Sequence, residues 1–423
     1  MGKPIIRFKG YEDDWEQRKL GKLGSFKNGM NFSKDAMGHG YAFVNLQNIF
    51  GKSVIDTEKL ELAEASETQL QEYNLQEGDV LFVRSSVKLE GVGEAAIVPK
   101  TLENTTYSGF IIRFRDEFRL DNNFKRFVFS IPNIRKQIMA QATNSANKNI
   151  SQPVLENLQI YLPQYEEQKA IGACFSKLDH LITLHQRKCE QTKILKKYML
   201  QKMFPQNGEK VPEIRFSGFT DDWEQRKLGE MLVSLQNNTF SRADLSNEKG
   251  VAKNVHYGDV LIKFGEVLDV SKEQLPMITD EKVLTKYKAS FLKNGDVIVA
   301  DTAEDITVGK CSEIAGLNDE VVLSGLHTIP YRPVEKFATG YLGYYLNSRA
   351  YHNQLIPLMQ GIKVTSISKS AMQDTDIVYP KLLKEQAMIG NYFQSIDHLI
   401  TLHQRKCDEL QKIKKFMLQN MFV

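Results

Sequence analysis

The chain repeats itself, and an internal repeat restricts the available folds more than any other feature of a sequence. Residues 13–21 return unchanged as residues 221–229, so the only two tryptophans are equivalent. Residues 179–189 return in the same way as residues 397–407. Coincidence does not produce two matches of this length. The chain is therefore expected to contain two copies of one structural plan.

The residues between these matching segments diverge, although short echoes persist. Residues 78–80 (Gly-Asp-Val), for example, return as residues 295–297. The simplest interpretation is one fold with two different surfaces. At 423 residues the chain is long enough for two or three domains. Along it, each of two variable units is followed by a constant segment.

The composition is that of a folded protein. Apolar residues make up 42% and charged residues 25%, which excludes wholesale disorder. Lys+Arg 55 nearly balance Asp+Glu 52, so any contact with nucleic acid must come from local patches. The sequence shows neither a signal-peptide pattern nor an apolar stretch of membrane-spanning length. With no Cys-x-x-Cys pair among its four cysteines, the chain is expected to be cytoplasmic.

The constant segments predict two long helices that carry the seam of a coiled coil. Apolar residues there step alternately by four and by three, which is the spacing of such a seam. The predicted packing residues are Ile171, Phe175, Leu178 and Ile182 in the first copy, and Ile389, Phe393, Ile396 and Ile400 in the second. The first helix, from Glu166 to Met203, would measure roughly 57 Å at about 1.5 Å per residue.

The variable units, residues 22–162 and 230–379, predict mixed α+β folds. Aromatic and β-branched runs separated by Gly, Asn and Asp are typical of strands. The predicted strands are residues 80–83, 109–114, 297–299 and 320–323, and helical patterns cover residues 124–140 and 341–355. The predicted division of the chain is a domain at 1–163, a helix and turn at 164–208, a domain at 209–380 and a helix at 381–423.

Catalytic motifs are missing from the sequence. Residues 51–53 (Gly-Lys-Ser) end like a P-loop, but Leu46 occupies the position of its first glycine. An amino-methyltransferase motif requires two adjacent prolines, and the sequence contains no such pair. The nearest match to a nuclease Glu-x-Lys motif is residues 167–169, and acids at a solvent-facing helix start explain it. No metal shell is complete either. We therefore expect no catalytic residue, metal or cofactor in this chain.

Two polar loops with cationic members are the candidate DNA contacts. Amides read adenine edges, lysines read guanine or hold phosphates, and hydroxyls do either. The candidates are Asn144, Asn147, Lys148 and Asn149 in the first copy, and Gln360, Lys363, Thr365 and Ser366 in the second. An ordinary surface loop is the alternative that composition leaves open.

Together these motifs resemble the specificity subunit of type I restriction-modification enzymes. Residues 4–8 (Pro-Ile-Ile-Arg-Phe) return as residues 212–216 (Pro-Glu-Ile-Arg-Phe) ahead of each tryptophan motif. A Glu-Gln pair, residues 167–168 and 385–386, opens each long helix after a proline. The resemblance covers the whole chain.

The resemblance implies a fold and a mode of recognition. Residues 1–163 and 209–380 would be target-recognition domains, each binding one half of a split DNA sequence. Two long helices would separate them as an antiparallel coiled coil, giving one chain pseudo-twofold symmetry. Such a spacer favours two short unlike blocks with an unread gap, their centres about 34 to 36 Å apart, one duplex turn.

The resemblance also implies partners. Two methyltransferase (M) subunits, which use S-adenosylmethionine to methylate adenine, would dock to the constant segments, including the regions of Trp15 and Trp223. Motor-nuclease (R) subunits driven by ATP with Mg would join the complex. This chain would then be a non-catalytic subunit, since those activities and cofactors belong to its partners.

Two other classes of function stay open at this stage. A duplicated, non-enzymatic scaffold that displays two protein-binding domains is one alternative, and salt-dependent binding to duplex DNA would exclude it. Nuclease or methyltransferase activity within this chain is the other, and activity of the isolated chain would favour it.

Overall fold

The fold follows the sequence repeat, because contacts divide the chain into two units that each hold one variable segment. The structure is a computed structural model and describes residues 2–143, 145–206 and 208–423. The first unit consists of residues 1–186 and 404–423, and the second of residues 187–403.

The first unit is a mixed α+β structure around a central antiparallel sheet. Its strands are β1 (Glu16–Lys19), β2 (Gly24–Asn28), β3 (Met37–Val44), β4 (Glu61–Ala63), β5 (Val80–Val83), β6 (Ser85–Ser86), β7 (Ala95–Ile97), β8 (Thr106–Tyr107), β9 (Ile111–Asp116), β10 (Lys148–Asn149) and β11 (Gln159–Leu162). Its helices are α1 (Glu67–Glu72), α2 (Asn122–Val128), α3 (Pro132–Gln141), α4 (Gln152–Glu156) and the first part of α5 (Tyr165–Lys202). The central sheet has the order β2-β9-β5-β7, and β3 lies between β4 and β8 in a second sheet.

The second unit repeats this plan. Its strands are β12 (Glu224–Lys227), β13 (Leu232–Ser234), β14 (Ala252–Val255), β15 (Val267–Asp269), β16 (Met277–Ile278), β17 (Val297–Ala300), β18 (Thr302–Ala303), β19 (Cys311–Ala315), β20 (Val322–Ser324), β21 (Thr328–Pro333), β22 (Thr365–Ser366) and β23 (Asp376–Tyr379). Its helices are α6 (Leu228–Met231), α7 (Tyr257–Ile262), α8 (Val283–Lys286), α9 (Tyr341–Asn347), α10 (Arg349–Leu355), α11 (Lys369–Gln373) and most of α12 (Leu383–Asn420). The central sheet has the order β13-β21-β17-β19-β15, which adds one edge strand to the first unit's order.

The sequence located the main elements and missed two breaks. The four predicted strands coincide with β5, β9, β17 and β20 to within two residues, and the predicted long helix coincides with α5 to within one. Each of the two shorter helical patterns, residues 124–140 and 341–355, forms two helices instead of one. Pro132, which lacks a backbone N–H, begins α3, and Ser348 in extended conformation separates α9 from α10.

A buried ion pair joins each constant N-terminal motif to the start of the following long helix. Arg7 donates from Nε and Nη2 to the two carboxylate oxygens of Glu167, at 2.7 and 2.8 Å. Arg215 makes the same pair of bonds to Glu385, at 2.7 and 3.0 Å. Both glutamates are fully buried. We term these two contacts, Arg7–Glu167 and Arg215–Glu385, the constant ion pairs.

The expectation that Glu167 faces solvent at a helix start is therefore wrong. A buried carboxylate is tolerated when a cation neutralises it with good hydrogen-bond geometry, and Arg7, 160 residues earlier in the chain, supplies that cation. The neighbouring Gln168 is buried as well. It donates to the carbonyl of Pro163 and accepts from the amide of Asp121, and Gln386 makes the equivalent bonds.

Strand pairing completes the closure of each variable segment. β1 pairs antiparallel with β11, and β12 pairs in the same way with β23. Each pair joins the residues after a tryptophan to the residues before a long helix. The two constant motifs of each copy, remote in sequence, are thus one structural element.

The two tryptophans fill the cores beside these closures. In the first unit Trp15 contacts Phe422, whose ring lies 5.7 Å from that of Phe175. The equivalent cluster in the second unit consists of Trp223, Phe204 and Phe393. Because Trp15 and Trp223 are only 4% and 1% exposed, neither side chain can dock a partner. Docking through these two side chains is therefore wrong, because both stabilise the constant segments from within, whereas docking by the regions around them stays a prediction.

Within the first unit the two long helices contact each other in opposite directions. Asp179 of α5 forms an ion pair with Lys414 of α12 at 2.5 Å. One turn further along α5, Ile182 packs in a cluster with Leu410, which lies earlier in α12. Residue numbers therefore rise along one helix in the direction in which they fall along the other.

The second unit shows the same contact with the helices exchanged. Lys196 of α5 pairs with Asp397 of α12 at 2.7 Å, and Cys189 lies against the carbonyl of Ile400. Asp397 and Lys414 follow Asp179 and Lys196 by 218 residues each. Of the predicted packing residues, Ile171, Phe175, Ile182, Ile389, Phe393 and Ile396 are buried, whereas Leu178 and Ile400 are partly buried.

The substitution Glu167→Ala is expected to lower the free energy of unfolding by about 3 to 5 kcal/mol, because it leaves the Arg7 guanidinium without its carboxylate. Glu166→Ala is the matched control. Glu166 is exposed and forms an ion pair with Lys169 at the surface, so its loss should cost less than about 1 kcal/mol. Urea unfolding of the whole chain measures both changes. Equal losses in the two variants would show that the constant ion pair contributes nothing special.

Candidate nucleic-acid interface

In the first unit the chain leaves the central sheet at the end of β5 and forms a short strand pair with a distant loop. β6 pairs antiparallel with β10, with Lys148 opposite Ser86 and Asn149 opposite Ser85. The carbonyl of Arg84, between β5 and β6, accepts from the next amide beyond β10 at 3.0 Å. We term β6 and β10 the first strand pair.

The second unit contains the same arrangement. β18 pairs antiparallel with β22, with Thr365 opposite Ala303 and Ser366 opposite Thr302. The carbonyl of Asp301 accepts from the amide beyond β22 at 2.8 Å. Each of these residues follows its counterpart by 217 positions, so the two pairs are equivalent residue by residue. We term β18 and β22 the second strand pair.

A second ion pair, present in both units, positions the strand that leads into each strand pair. Asp79 of the Gly-Asp-Val echo is buried and accepts from Nε and Nη2 of Arg115 at 2.8 and 2.6 Å. These hydrogen bonds raise the pKa of the Arg115 guanidinium above its ordinary value. Asp296 and Arg332 repeat the contact at 2.9 and 2.6 Å. The echo in sequence therefore reflects an anchor for β5 and β17.

The predicted DNA contacts of the first copy lie in or beside the first strand pair. Asn147 is exposed, and Lys148 and Asn149 are half-buried in β10. The ammonium of Lys148 donates to the carbonyl of Ser145 at 2.8 Å, and the amide of Asn149 donates to the carbonyl of Asn147 at 2.7 Å. Asn144 lies outside the described residues.

The predicted contacts of the second copy lie at the second strand pair. Gln360, Lys363 and Ser366 are exposed, and Thr365 is half-buried. Gln360 and Ser366 exchange two backbone hydrogen bonds at 2.9 and 2.8 Å, which close a tight loop between them. The loop depends on Gly361, whose φ of 113° and contact with a backbone oxygen exclude a side chain.

A cavity of about 530 Å³ opens beside the first strand pair. Polar walls come from Ser85, Ser86 and Asn147, and exposed apolar groups come from Val87 and Phe110. Polar groups together with apolar ones suit the major groove, where base hydrogen-bonding groups lie beside thymine methyls.

The described residues offer little for other kinds of site. They include no group of three or more His, Cys, Asp or Glu arranged to hold a metal ion. Within the same ranges no helix is long and apolar enough to cross a membrane. At the P-loop-like segment, the amide of Gly51 donates to Glu94 and the ammonium of Lys52 pairs with Asp56.

Two long segments of the chain match one known domain. Residues 12–193 and residues 220–412 each match the type I restriction modification DNA specificity domain. The chain belongs to this family. One specificity domain corresponds to each copy of the repeat, and each matched segment includes one strand pair.

Related proteins carry the same description. A protein of Methanocaldococcus jannaschii assigned as the type I restriction enzyme MjaX specificity subunit is 25% identical over 418 residues, covering 95% of this chain and 91% of its own length. The MjaVIII specificity subunit of that organism is 28% identical over 284 residues, covering 66% and 64%. The EcoKI specificity subunit of Escherichia coli is 28% identical over 151 residues, covering 35% and 32%.

Solved structures share the fold of the specificity domains. The type I restriction-modification S subunit from M. genitalium gives a TM-score of 0.56 at 12% identity, covering 100% of this chain and 99% of that one. A chain from a structural study of type I R-M complex assembly and conformational transition gives 0.57 at 17%, covering 96% and 97%. The HsdS subunit from Thermoanaerobacter tengcongensis gives 0.50 at 19%, covering 96% of each chain.

The sequence predicts a polar loop where each specificity domain has one strand of its pair, β10 or β22. The partners β6 and β18, with the loops that follow them at residues 87–93 and 304–309, were not singled out. They lie more than 60 residues from β10 and β22 in sequence, so only the fold brings them together. One signal was available, since the copies diverge directly after the shared Gly-Asp-Val strand.

Replacing Lys148 with Gln is expected to weaken binding of the whole chain to all duplex sequences alike, because a phosphate contact carries no sequence information. The slope of log affinity against log salt concentration is negative, and it should become shallower by about 0.9. The control is Lys100→Gln, which removes an exposed lysine from the turn after β7 in the same unit. Fluorescence anisotropy over a salt series measures both slopes. A Lys148 variant with an unchanged slope, or an equal change in the control, would exclude this phosphate contact.

Proposed function

We propose that this chain is the DNA-specificity subunit of a type I restriction-modification complex, with each specificity domain binding one half of a split DNA sequence. The observation that carries the proposal is the pair of equivalent strand pairs. Their backbones match in register and in flanking hydrogen bonds, while their side chains differ. One scaffold with two sets of side chains suits a reader of two unlike sequences.

We infer further that α5 and α12 form an antiparallel coiled coil with pseudo-twofold symmetry. In each unit one helix supplies the aspartate of an ion pair and the other supplies the lysine, and the roles are exchanged between units. A twofold axis relating the two copies produces this exchange, since residue i then contacts j where j contacts i.

We propose that two copies of a methyltransferase subunit dock on the constant helices. Apolar side chains that are 37% to 56% exposed occur at equivalent positions in both units. They are Leu184, Ile413 and Phe416 in the first unit, and Leu402, Leu195 and Tyr198 in the second. Exposed apolar surface marks interaction sites, and two equivalent surfaces suit two identical partners.

The chemistry of the complex is assigned to its other subunits. On this proposal the methyltransferase subunits hold S-adenosylmethionine and methylate adenine, and motor-nuclease subunits use ATP and Mg. This chain is then a non-catalytic subunit that supplies the DNA address and the docking surfaces. A scaffold for protein partners alone would differ in showing no salt-dependent binding to duplex DNA.

An exchange of variable units tests the division of labour. Replacing residues 22–162 with the equivalent unit of another family member should change one half of the methylated sequence and leave the other half intact, because each specificity domain acts alone. The reciprocal control replaces residues 230–379 and should change only the other half. Methylome sequencing of cells that carry the complete system reads both results. If both halves changed together, the two domains would not be independent readers.

Charge placed on the exposed apolar positions tests the docking surfaces. Phe416→Asp and Tyr198→Asp should each reduce the number of bound methyltransferase subunits from two to one, because a carboxylate in an apolar interface loses its hydration without gaining a partner. Together they should remove both. Lys415→Asp, on an exposed neighbour, is the control for added negative charge. Native mass spectrometry of the co-expressed complex counts the subunits. Two bound copies in the double variant would place the docking surface elsewhere.

A further inference from the structure

The segments that contain the two strand pairs and their flanking residues differ in charge on the same scaffold. Around the first strand pair, residues 84–93 and 145–149 contain three basic residues, Arg84, Lys88 and Lys148, and one acid, Glu90. In the second, the acids Asp301, Glu304 and Asp305 outnumber the one lysine, Lys363, within residues 301–309 and 360–366. Because the backbones are equivalent, the difference lies in what the side chains present.

Arg84 and Asp301 occupy the same position in this scaffold. The amide of Arg84 donates to the carbonyl of Phe110 at 2.7 Å, and the amide of Asp301 donates to the carbonyl of His327 at 3.2 Å. Phe110 and His327 are again 217 residues apart. Each residue follows directly after a buried central strand, β5 or β17. A rigid strand therefore delivers an arginine to one specificity domain and an aspartate to the other.

The Asp301 side chain is held in place but keeps an acceptor free. Its Oδ1 accepts from the hydroxyl of Thr302 at 2.8 Å, and Nδ1 of His327 lies 3.6 Å from the same oxygen. The side chain is 26% exposed. Among the residues that the structure describes, none donates a hydrogen bond to Oδ2 of Asp301.

A carboxylate beside DNA needs a specific reason, because phosphates repel it. The compensating partner is a base that offers a hydrogen-bond donor and no competing acceptor at that point. In the major groove the N4 amino group of cytosine is such a donor, and Asp or Glu is the side chain that accepts from it. Arginine prefers the other base of that pair, donating to O6 and N7 of guanine in the same groove.

We propose that Asp301 is a specificity-determining residue of the second domain and accepts a hydrogen bond from a cytosine N4 amino group. Arg84, at the equivalent position, reads guanine for the first domain. This inference rests on the proposed function and adds the base that one position reads in each half-sequence. It also places the reading edge at the ends of β5 and β17, outside the two loops that composition indicated.

The test is methylome sequencing of cells carrying the complete system with wild-type chain, Asp301→Asn or Asp301→Arg. Asp301→Asn, nearly isosteric and still able to accept from Thr302, should reduce discrimination for cytosine at one position of one half-sequence by roughly 5- to 150-fold. Asp301→Arg should shift that position toward guanine. Arg84→Asp should alter one position of the other half instead. Asp319→Asn, the same change at an exposed turn of the second unit, is the control and should alter nothing.

The outcomes separate this inference from the function on which it depends. A wild-type system that methylates no split sequence would contradict the proposed function. A split wild-type sequence that Asp301→Asn leaves unchanged, or whose second half contains no G·C pair, would overturn the role of Asp301 alone. If Asp301→Asn abolishes methylation, the purified variant complex is tested by competition binding to duplexes that differ in the second half. Loss of the cytosine preference in that assay is the expected result. Retained cytosine preference there would also overturn the role.

Discussion

The constant ion pairs, Arg7–Glu167 and Arg215–Glu385, are the contacts on which both units depend. Each brings a segment from the start of a copy against the start of the long helix at its end. Removing either partner would leave a buried charge without compensation, so the ion pair holds the two segments together strongly. The adjacent glutamine then ties the helix start to the backbone of the variable segment. A variable segment is thereby held at both ends by invariant contacts.

That closure explains how the two surfaces diverge without loss of fold. Within each unit, a second buried ion pair, Asp79–Arg115 or Asp296–Arg332, anchors the strand that leads to the strand pair. Exposed side chains beyond the anchors can differ in charge and shape, whereas Ile150, Ala303 and Ile367, in or beside the strand pairs, stay buried in the cores. An arginine in one domain and an aspartate in the other, at one backbone position, illustrates the result.

The long helices extend the same principle to partners. Each unit contains an Asp–Lys contact between α5 and α12, built from the same two sequence positions with the helices exchanged. Equivalent apolar side chains on these helices are exposed in both units. On the proposed function, a duplicated chain thus offers two equal surfaces to identical partners and two unequal surfaces to DNA. On that function, the constant segments stay alike for the partners and the variable segments differ for DNA.

The sequence alone determined the features that are local or repeated: the duplication, the α+β character, the strands β5, β9, β17 and β20, the long helices and the family. Periodicity and repetition are visible without a fold. Long-range contacts are not visible in this way, which is why the sequence wrongly predicts a solvent-facing Glu167 and docking through the two buried tryptophans. The candidate site was half visible for the same reason. Only tertiary structure paired β10 with β6 and β22 with β18, and only that pairing put Arg84 and Asp301 at one position, since register is set by hydrogen bonds between segments remote in sequence.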